Sequence, residues 1–364
     1  MVSKKLKLTI MDSIGCDVVI ETKAIKYLKK YLGKNYSKVF LISDQKLKMA
    51  RMEVFQYLRD NRIDYVEMPL KAGENIKNFE YYNKIIHFLA SNGADKKSQL
   101  IALGGGTIGD LVGFVASTYM RGISWIGIPT TLLAQVDSAL GGKTGINLET
   151  GKNLIGTIYQ PKAILCQTSF LKTLGQREIL SGLAEIIKYG ICFDQKLFLL
   201  IKNNEKKIMD LEPKIMAEII FESLKWKIQL VKNDIRDELG IREKLNFGHT
   251  FGHALETITG YKYFQHGEAI IWGMRFALHL SKKQGLLARS SFEEIEKFLS
   301  QLSVPRIPNG ISMSAIKKLF LKDKKSTNRK MKFVLLQKMG KTKTVIMKSE
   351  TDIDDSLKWI LGKK

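Results

Sequence analysis

The chain has 364 residues, of which 45% are hydrophobic and 26% charged, and its formal net charge is +23. This length predicts two domains or one large α/β domain, and the composition excludes a disordered or collagen-like chain. There is no apolar run of about 18 residues, so no membrane-spanning helix is expected. The N-terminus is basic, but Lys7 and Asp12 interrupt the apolar stretch that a signal peptide would need, so no signal peptide is expected.

The cysteines and the positive charge both suggest an ordinary cytoplasmic protein. Cys16, Cys166 and Cys192 are odd in number and far apart, which indicates free thiols in a reducing compartment. The lysines occur as scattered pairs and not as a dense arm or stripe, which favours a lysine-rich solvated surface over a nucleic-acid interface. A small anionic substrate is compatible with this surface. A nucleic-acid partner would predict binding that weakens steeply with added salt.

The first half of the chain alternates short β-type runs with helical patterns. Strands are predicted at 7–10, 18–20, 39–43, 99–103 and 125–128, and amphipathic helices near 23–32, 46–61 and 77–92. Strands that alternate with helices predict βαβ units and a mostly parallel sheet.

The second half is predominantly helical. Helices are predicted at 177–190, 195–208, 213–233, 246–259, 268–284 and 291–302, and a β-type run returns only at 333–336. We therefore predict an α/β fold with a Rossmann-like domain at 1–175 and a mostly helical domain at 176–364.

Glycines concentrate in one stretch: twelve of the 29 lie between Gly104 and Gly156. Directly after a predicted strand, Gly104, Gly106 and Gly109 satisfy the G-x-G-x-x-G pattern. Such a turn presents backbone N–H groups and a helix N-terminus to a pyrophosphate. A glycine turn that only allows close helix packing is an equally good interpretation of these residues alone.

The acid that normally follows a dinucleotide-binding glycine turn is missing. No Asp or Glu lies between Asp110 and Asp137, although a ribose-binding acid is expected about 20 residues after the turn. Asp44, at the end of an earlier strand, is the alternative candidate for the ribose. A second glycine and lysine cluster, at 137–143 and 151–153, suits either an anion site or a solvated loop.

The histidines form a third cluster. His249 and His253 are four residues apart on one helical face and His266 follows within 18 residues, which favours a divalent metal site. Glu185, in an otherwise apolar helix with Lys188 one turn later, is a candidate fourth member. Packing of the histidines is the alternative, and it is the role that we predict for two further histidines, at 87 and 279.

Four segments carry a resemblance to a known family. They are Gly104–Gly122, Pro129–Asn147, Gly182–Gly190 and Asn246–Ala254. In this order they resemble 3-dehydroquinate synthase, and the resemblance extends from about Ser43 to Lys341.

The resemblance implies a cytoplasmic, homodimeric enzyme of the shikimate pathway. Members convert 3-deoxy-D-arabino-heptulosonate 7-phosphate to 3-dehydroquinate and phosphate. They use bound NAD and a divalent metal, zinc or cobalt, and proceed through transient oxidation, phosphate β-elimination, reduction and an intramolecular aldol closure. No nucleic-acid or membrane partner is implied. The cofactor is expected at the junction of the two domains.

The resemblance also implies a set of site residues. The metal would be bound by Glu185, His249 and His266, with His253 as a nearby catalytic residue. NAD would contact Asp44, Glu74, Lys77, Gly105, Gly106, Thr107, Asp110, Thr130, Thr131, Leu133, Lys143, Lys152, Phe170, Thr173, Leu174 and Glu178. Substrate would contact Asp137, Lys143, Asn153, Lys188, Lys227, Arg242, Asn246 and Lys324, with Arg121 reaching across a dimer interface.

Some alternatives stay open within this resemblance. One extra residue between Lys227 and Arg242 makes the match at Lys227 less secure. Related cyclases form 2-deoxy-scyllo-inosose or valiolone-type rings, but the segment 141–147 and the cation Arg242, which suits a substrate carboxylate, favour the dehydroquinate branch. A metal-dependent polyol dehydrogenase of similar architecture would release NADH and would not need the lysine clusters at 143–152 and 324–325.

Overall fold

The computed structural model of the chain describes residues 3–10, 14–235, 237–322, 331–347 and 349–362. The first half alternates strands with helices, as the sequence predicts. Its elements are β1 (Lys4–Ile10), β2 (Ile14–Glu21), α1 (Leu28–Leu32), β3 (Val39–Asp44), α2 (Lys48–Asp60), β4 (Tyr65–Leu70), α3 (Phe79–Ser91), β5 (Gln99–Gly104), α4 (Gly106–Thr118), β6 (Ser124–Pro129), β7 (Lys143–Leu148), β8 (Gly151–Ile158) and β9 (Ala163–Gln167).

The second half is mostly helical and has one late hairpin. Its elements are α5 (Gln176–Phe193), α6 (Gln195–Lys202), α7 (Glu205–Met209), α8 (Pro213–Asn233), α9 (His249–Ile258), α10 (His266–Lys283), α11 (Arg289–Gln301), α12 (Met313–Lys322), β10 (Lys332–Lys338), β11 (Lys341–Ile346) and α13 (Thr351–Leu361). Among the described residues, no helix is long and apolar enough to cross a membrane.

The chain forms two compact units, and the first is discontinuous. Unit 1 contains Met1–Gly175 and Lys207–Arg236, and unit 2 contains Gln176–Lys206 and Asp237–Lys364. The segment that carries α8 therefore belongs to unit 1, where α8 lies against β1 and β2, although the sequence analysis places it in the second domain.

A seven-stranded sheet forms the centre of unit 1. Its strand order is β1-β2-β9-β6-β5-β3-β4, and every neighbouring pair is parallel except β1 with β2. Side chains alternate between the two faces of a strand. In β3, Val39 and Leu41 enter one apolar cluster, and Phe40 and Ile42 enter the other. Both faces of the sheet are therefore covered, as parallel sheets require.

Two local structures follow β6 and were not predicted as such. Ala134–Ser138 is a single π-helical turn, and β7 pairs with β8 as an antiparallel hairpin where the sequence suggested a loop. A Cβ on Gly156 would lie 2.1 Å from the carbonyl oxygen of Thr144. The two strands approach this closely only because glycine faces the partner backbone.

Unit 2 packs its helices around an aromatic core. Phe251, Phe276, Phe320 and Phe333 are all buried in one cluster together with α13. His279 belongs to the same region: its ring stacks on Trp359 at 4.4 Å and its Nδ1 lies 3.0 Å from Ser356 Oγ. His87, by contrast, is exposed on α3.

Candidate functional site

The glycine turn lies at the carboxyl edge of the unit 1 sheet. β5 ends at Gly104, Gly105 is the N-cap of α4, and Gly106 is the first residue of that helix, followed by Thr107. A Cβ on Gly106 would lie 2.7 Å from Ser138 Oγ, so a larger residue here would require the serine side chain to move. The turn lines a small cleft together with Asp110, Ser138 and Lys143. Exposed N–H groups at a helix N-terminus in such a cleft suit an anion.

The remaining residues expected at the cofactor occupy neighbouring strand ends. β3 pairs with β5 with Ser43 opposite Leu103, so Asp44 lies beside the glycine turn at the same edge. Thr130 donates its backbone N–H to Gly104 at 3.0 Å, and Thr131 Oγ1 accepts from the backbone of Ala134. Four more of these residues lie elsewhere in unit 1. Leu133 is half-buried directly before the π-helical turn, and Phe170 is buried in a short 3-10 helix that ends at Thr173 and Leu174.

Lys77 organises a polar network in unit 1. Its Nζ donates to Asp110 Oδ2 at 2.7 Å and to Asn153 Oδ1 at 2.5 Å, and lies 3.9 Å from Glu74 Oε1. Asn147 completes the network, because its amide donates to Glu74 and its carbonyl oxygen accepts the backbone N–H of Asn153. Burial raises the pKa of Asp110 to about 6, although Lys77 lowers it. Residues assigned to cofactor and to substrate thus share one cluster.

Lys227 and Asp137 are in contact. Lys227 Nζ donates to Asp137 Oδ1 at 2.6 Å and also to the backbone carbonyl of Asp137, and only 6% of the lysine side chain is exposed. The contact joins α8 to the π-helical turn within unit 1. Two residues expected to contact substrate are therefore brought together in spite of the extra residue near Lys227.

The other cations expected in unit 1 are exposed. Lys143 and Lys152 lie at the start of β7 and in β8. Arg121 (φ 60°) lies in a turn with two further positive-φ residues, Met120 and Gly122. Lys96 donates to the carbonyl oxygens of both flanking residues and so holds this turn.

Three helices of unit 2 bring the expected metal ligands together. Glu185 lies on α5, His249 is the first residue of α9, and His266 is the first residue of α10. Glu185 Oε1 is 3.7 Å from His249 Nε2 and 3.6 Å from His266 Nε2. Ligands at ~2.1 Å around a tetrahedral zinc ion are about 3.4 Å apart, so the two distances from Glu185 are close to the required value. All three ligand atoms lie within 4.8 Å of one another.

Glycine contacts set the distances between these helices. A Cβ on Gly273 of α10 would lie 1.9 Å from the carbonyl oxygen of Gly248, which immediately precedes α9. A Cβ on Gly267 would lie 2.4 Å from the backbone of Ser181 on α5. Each contact is backbone to backbone, so any larger residue at either position would separate the helices that carry the ligands.

The charges of this group suit a divalent ion. Glu185 Oε1 is buried and accepts no hydrogen bond from the part of the chain that the structure describes, while its other oxygen accepts from Lys188. Burial raises the pKa of Glu185, but Lys188 and His266 outweigh it and lower the pKa to about 2. Burial also lowers the pKa of His249 well below its usual value. Burial lowers the pKa of His266, but Glu185 and Glu256 outweigh it and raise the pKa to about 10. A metal ion that binds His266 must therefore displace a proton, as metal binding to histidine does. One carboxylate and two imidazoles are a donor set that zinc or cobalt binds, so the residue types fit the metal.

Further expected residues also lie in unit 2, and His253 is next to this group. His253 is exposed, and its ring centroid is 5.2 Å from that of His249 and 6.1 Å from that of His266. Arg242 is buried, Asn246 Nδ2 donates to Glu243 O at 3.1 Å, and Glu178 is exposed in the first turn of α5. Lys324 and Lys325 lie outside the described residues.

An ion pair between the exposed Arg177 and the buried Glu268 fixes the start of α10. Arg177 donates to both oxygens of Glu268, at 2.6 and 2.7 Å, and to the carbonyl oxygen of Tyr263. Glu268 also accepts the backbone N–H of Gln265, which is half of a capping box. The helix therefore begins at His266 with little freedom. The sequence analysis assigns no role to Arg177, Glu268 or Asn147, or to Glu256, which lies beside His266. Of these, Glu268 was predictable, because its spacing from Gln265 is that of a capping box.

Solved structures with this fold include sugar phosphate cyclases. A 2-deoxy-scyllo-inosose synthase, solved with carbaglucose-6-phosphate, NAD+ and Co2+, superposes with a TM-score of 0.86 at 22% identity over 100% of both chains. The 2-epi-5-epi-valiolone synthase from Streptomyces hygroscopicus, with NAD+ and Zn2+ bound, gives 0.85 at 22% identity over 97% of this chain and 98% of its own. An iron-containing alcohol dehydrogenase gives 0.63 at 14% identity over 96% and 98%. The chain thus has the fold that these cyclases and the iron-containing dehydrogenase share.

Sequence comparison gives the family within that class. The family models of the 3-dehydroquinate synthase N-terminal and C-terminal regions match residues 67–181 and 182–326. The 3-dehydroquinate synthase of Dictyoglomus thermophilum is 43% identical over 92% of this chain and 92% of its own, and that of Thermoanaerobacter pseudethanolicus 42% identical over 86% and 88%. The chain belongs to the 3-dehydroquinate synthase family, as the sequence motifs predict.

Proposed function

We propose that this chain converts 3-deoxy-D-arabino-heptulosonate 7-phosphate to 3-dehydroquinate and phosphate, using NAD and one divalent metal ion. The observation that carries the proposal is the triangle of Glu185, His249 and His266, whose buried carboxylate oxygen is aimed between two imidazoles. It occurs in a chain that belongs to the 3-dehydroquinate synthase family over both matched regions. Structural neighbours with NAD and cobalt or zinc support the choice of cofactors.

Unit 1 supplies the proposed dinucleotide site. The N–H groups of Gly105, Gly106 and Thr107 at the start of α4 would receive the pyrophosphate, and Asp44 would accept from the ribose hydroxyls. Lys77 and Asp110 hold each other at 2.7 Å beside the glycine turn. The Asp44 carboxylate would repel a 2′-phosphate, so we expect NAD to be preferred to NADP in turnover assays. A preference for NADP would contradict the role of Asp44.

Unit 2 supplies the proposed metal site. When bound, NAD accepts and returns a hydride and the metal polarises the substrate hydroxyls as a Lewis acid. Glu185, His249 and His266 would hold the ion, and Lys188 neutralises the second carboxylate oxygen. Arg242 offers a fixed cation for the substrate carboxylate. His253, exposed next to the triangle, can exchange a proton with bound substrate.

The substrate's phosphate requires cations and amides. A dianion is poorly bound in a dry pocket unless several fixed donors surround it. Lys143, Asn153, Asn246 and Lys324 are the residues of this chain that we assign to it, together with Arg121 from the second subunit of a homodimer. The exposed side chain of Arg121, held on a rigid turn, supports a role at an interface. The buried free thiols support a reducing, cytoplasmic location.

The decisive experiment incubates the purified protein with the heptulosonate phosphate and NAD. Release of phosphate together with a carbocyclic product, without net NADH, supports the proposal. Net accumulation of NADH on a polyol would instead support a dehydrogenase like the iron-type neighbours. Equal turnover of a sugar phosphate that lacks the carboxylate would place the chain with the other cyclases.

Replacement of His253 separates chemistry from metal binding. His253→Ala should retain one metal ion per chain, because the triangle does not include this ring, but should lose most of its turnover. The measurement is metal content by elemental analysis alongside the phosphate-release rate. Loss of the metal would move His253 into the ligand set.

A mixed dimer tests Arg121. One chain carries Arg121→Ala and the other His266→Ala. If Arg121 acts across the interface, the chain with an intact metal triangle receives the partner's intact arginine, and activity should be near half of wild type. If Arg121 acts within its own chain, neither site is complete and the mixed dimer should be nearly inactive.

A further inference from the structure

The two imidazoles of the metal triangle are held differently at their second nitrogen. His249 Nδ1 lies 3.2 Å from the backbone carbonyl oxygen of Phe247. His266 Nδ1 lies 3.4 Å from Glu256 Oε1, and its Nε2 lies 3.6 Å from Glu185 Oε1. One ring is thus supported by a neutral acceptor of the main chain, and the other by a carboxylate that a mutation can remove.

The position of Glu256 follows from helix geometry. His249, His253 and Glu256 are spaced i, i+4 and i+7 on α9, so they share the face that meets the start of α10. The Glu256 side chain is only 13% exposed and that of His266 is 30% exposed. A charged group this well covered is normally bound to a partner.

A histidine ligates a metal through one nitrogen and carries a proton on the other. A carboxylate at the protonated nitrogen fixes which nitrogen is free, orients the ring and makes it a stronger ligand. With Nε2 directed at Glu185 Oε1, the proton of a metal-bound His266 must lie on Nδ1, where Glu256 is the acceptor.

We propose that Glu256 is a positioning residue that orients His266 for the metal and strengthens its binding. The inference rests on the ligand set of the proposed function. It does not make Glu256 a ligand, although His253, Glu256 and His266 Nδ1 also lie close enough to hold an ion. That arrangement would require His266 to use Nδ1, which faces away from the buried, unpaired oxygen of Glu185.

The experiment measures metal affinity without substrate or NAD. Metal-free protein is titrated with Zn2+ against a chromophoric chelator, and Co2+ is used to record the absorption spectrum of the site. Glu256→Ala should bind one Zn2+ per chain 10–100-fold more weakly than wild type. Glu256→Gln, which keeps an acceptor but not the charge, should lie between the two, with a cobalt spectrum closer to wild type.

Glu294→Gln is the matched control. Glu294 pairs with Lys202 on the surface of unit 2, where both side chains are about 40% exposed, and its loss should leave the Zn2+ affinity unchanged. Thermal unfolding of the metal-free variants shows whether they fold. If Glu256→Ala does not fold, the decision rests on Glu256→Gln.

Two outcomes would overturn the proposal. One is a Zn2+ affinity within twofold of wild type in the folded Glu256 variants. The other is a wild-type stoichiometry of two ions per chain that falls to one in Glu256→Ala, which would make Glu256 a ligand of a second site. A chain that binds metal as expected but does not turn over the heptulosonate phosphate would contradict the proposed function and leave this inference intact.

Discussion

Lys77–Asp110 in unit 1 and Lys188–Glu185 in unit 2 are both covered lysine–carboxylate pairs, and the pKa values of their acids shift in opposite directions. In unit 1, Lys77 holds Asp110 at 2.7 Å, and the pKa of Asp110 is raised to about 6 because burial outweighs the lysine. In unit 2, Lys188 holds Glu185, and the pKa of Glu185 is lowered to about 2 although burial opposes this. A neighbouring lysine therefore does not by itself determine whether the carboxyl group is ionised.

The difference lies in the other charges nearby. Asp110 has Glu74 in its surroundings, which raises its pKa further. Glu185 is more deeply buried, with 1% of its side chain exposed against 24% for Asp110, but His266 adds to the effect of Lys188. A surplus of positive groups keeps the acid ionised. The ionised Glu185 carboxylate can bind a metal ion once His266 gives up its proton, whereas the Lys77 network is nearly balanced and suits a neutral or hydrogen-bonding partner.

The largest effect is expected when the unit 2 acid loses its charge. Glu185→Gln keeps the shape but leaves Lys188 and two imidazoles around a neutral group. Metal affinity should fall by more than the ~100-fold that follows from losing a supporting partner, and turnover with it. Asp110→Asn is the matched change in unit 1 and should leave metal affinity within about twofold. Equal losses of metal affinity in Glu185→Gln and Asp110→Asn would contradict the assignment of the metal site to unit 2.

Removing the unit 2 lysine should destabilise that unit. Lys188→Met leaves His266 as the remaining positive partner of the buried Glu185 carboxylate. Removing one partner of a buried ion pair typically costs about 3–5 kcal/mol. Calorimetry of the metal-free protein should show a melting temperature lower by several degrees. Saturating Zn2+ should recover much of the lost melting temperature, because the bound ion replaces the missing cation. A variant that zinc does not stabilise would contradict the role of Glu185.

The raised pKa of Asp110 predicts a pH dependence of stability. A carboxyl group with a folded pKa of about 6 and an ordinary pKa of 3.8 contributes its full stability below pH 3.8 and loses it as pH rises through 6. Asp110→Asn cannot titrate, so it should gain on wild type by about 1–3 kcal/mol between pH 4 and pH 7. Melting temperatures of both proteins at these two pH values measure the gain. A constant difference would mean that the pKa is not raised.

The smallest effect concerns the amide in the Lys77 network. Asn153 accepts from Lys77 at 2.5 Å and adopts a positive φ of 53°. Asn153→Gly removes the hydrogen bond but relieves the backbone, so we expect a net loss of stability of at most about 1 kcal/mol. Lys77→Met should cost more in the same melting experiment. A larger loss in the glycine variant would make Asn153 the main partner of Lys77.

The sequence predicted those parts that depend on local patterns. Strands alternating with helices indicated the parallel sheet, and the glycine pattern located the turn after β5. The clustering of His249, His253 and His266 pointed to a metal, whereas Glu185 was recognisable mainly as an acid in an apolar helix. The specific roles came from the resemblance to a family and remain predictions.

Other features depend on contacts between residues distant in sequence. The β7–β8 hairpin forms because Gly145 and Gly156 approach each other closely. The sequence alone indicated either an anion site or a solvated loop there and did not predict the hairpin. The sequence does not predict that α8 belongs to unit 1, because this depends on contacts such as that between Lys227 and Asp137, which are 90 residues apart. Glu256 has no sequence signal of its own, because its role depends on the ring of His266 ten residues later.

The discontinuity of unit 1 has a consequence for synthesis of the chain. During synthesis, residues 1–175 emerge from the ribosome before α8 does. The sheet of unit 1 therefore cannot pack against the segment 207–236 until α5 and α6 of the other unit have also been synthesised. Until then the buried partner of Asp137 is missing and the faces of β1 and β2 that receive α8 are bare. We therefore expect that the first 175 residues cannot be expressed as a stable fragment, and that a chaperone would bind the nascent chain during this interval.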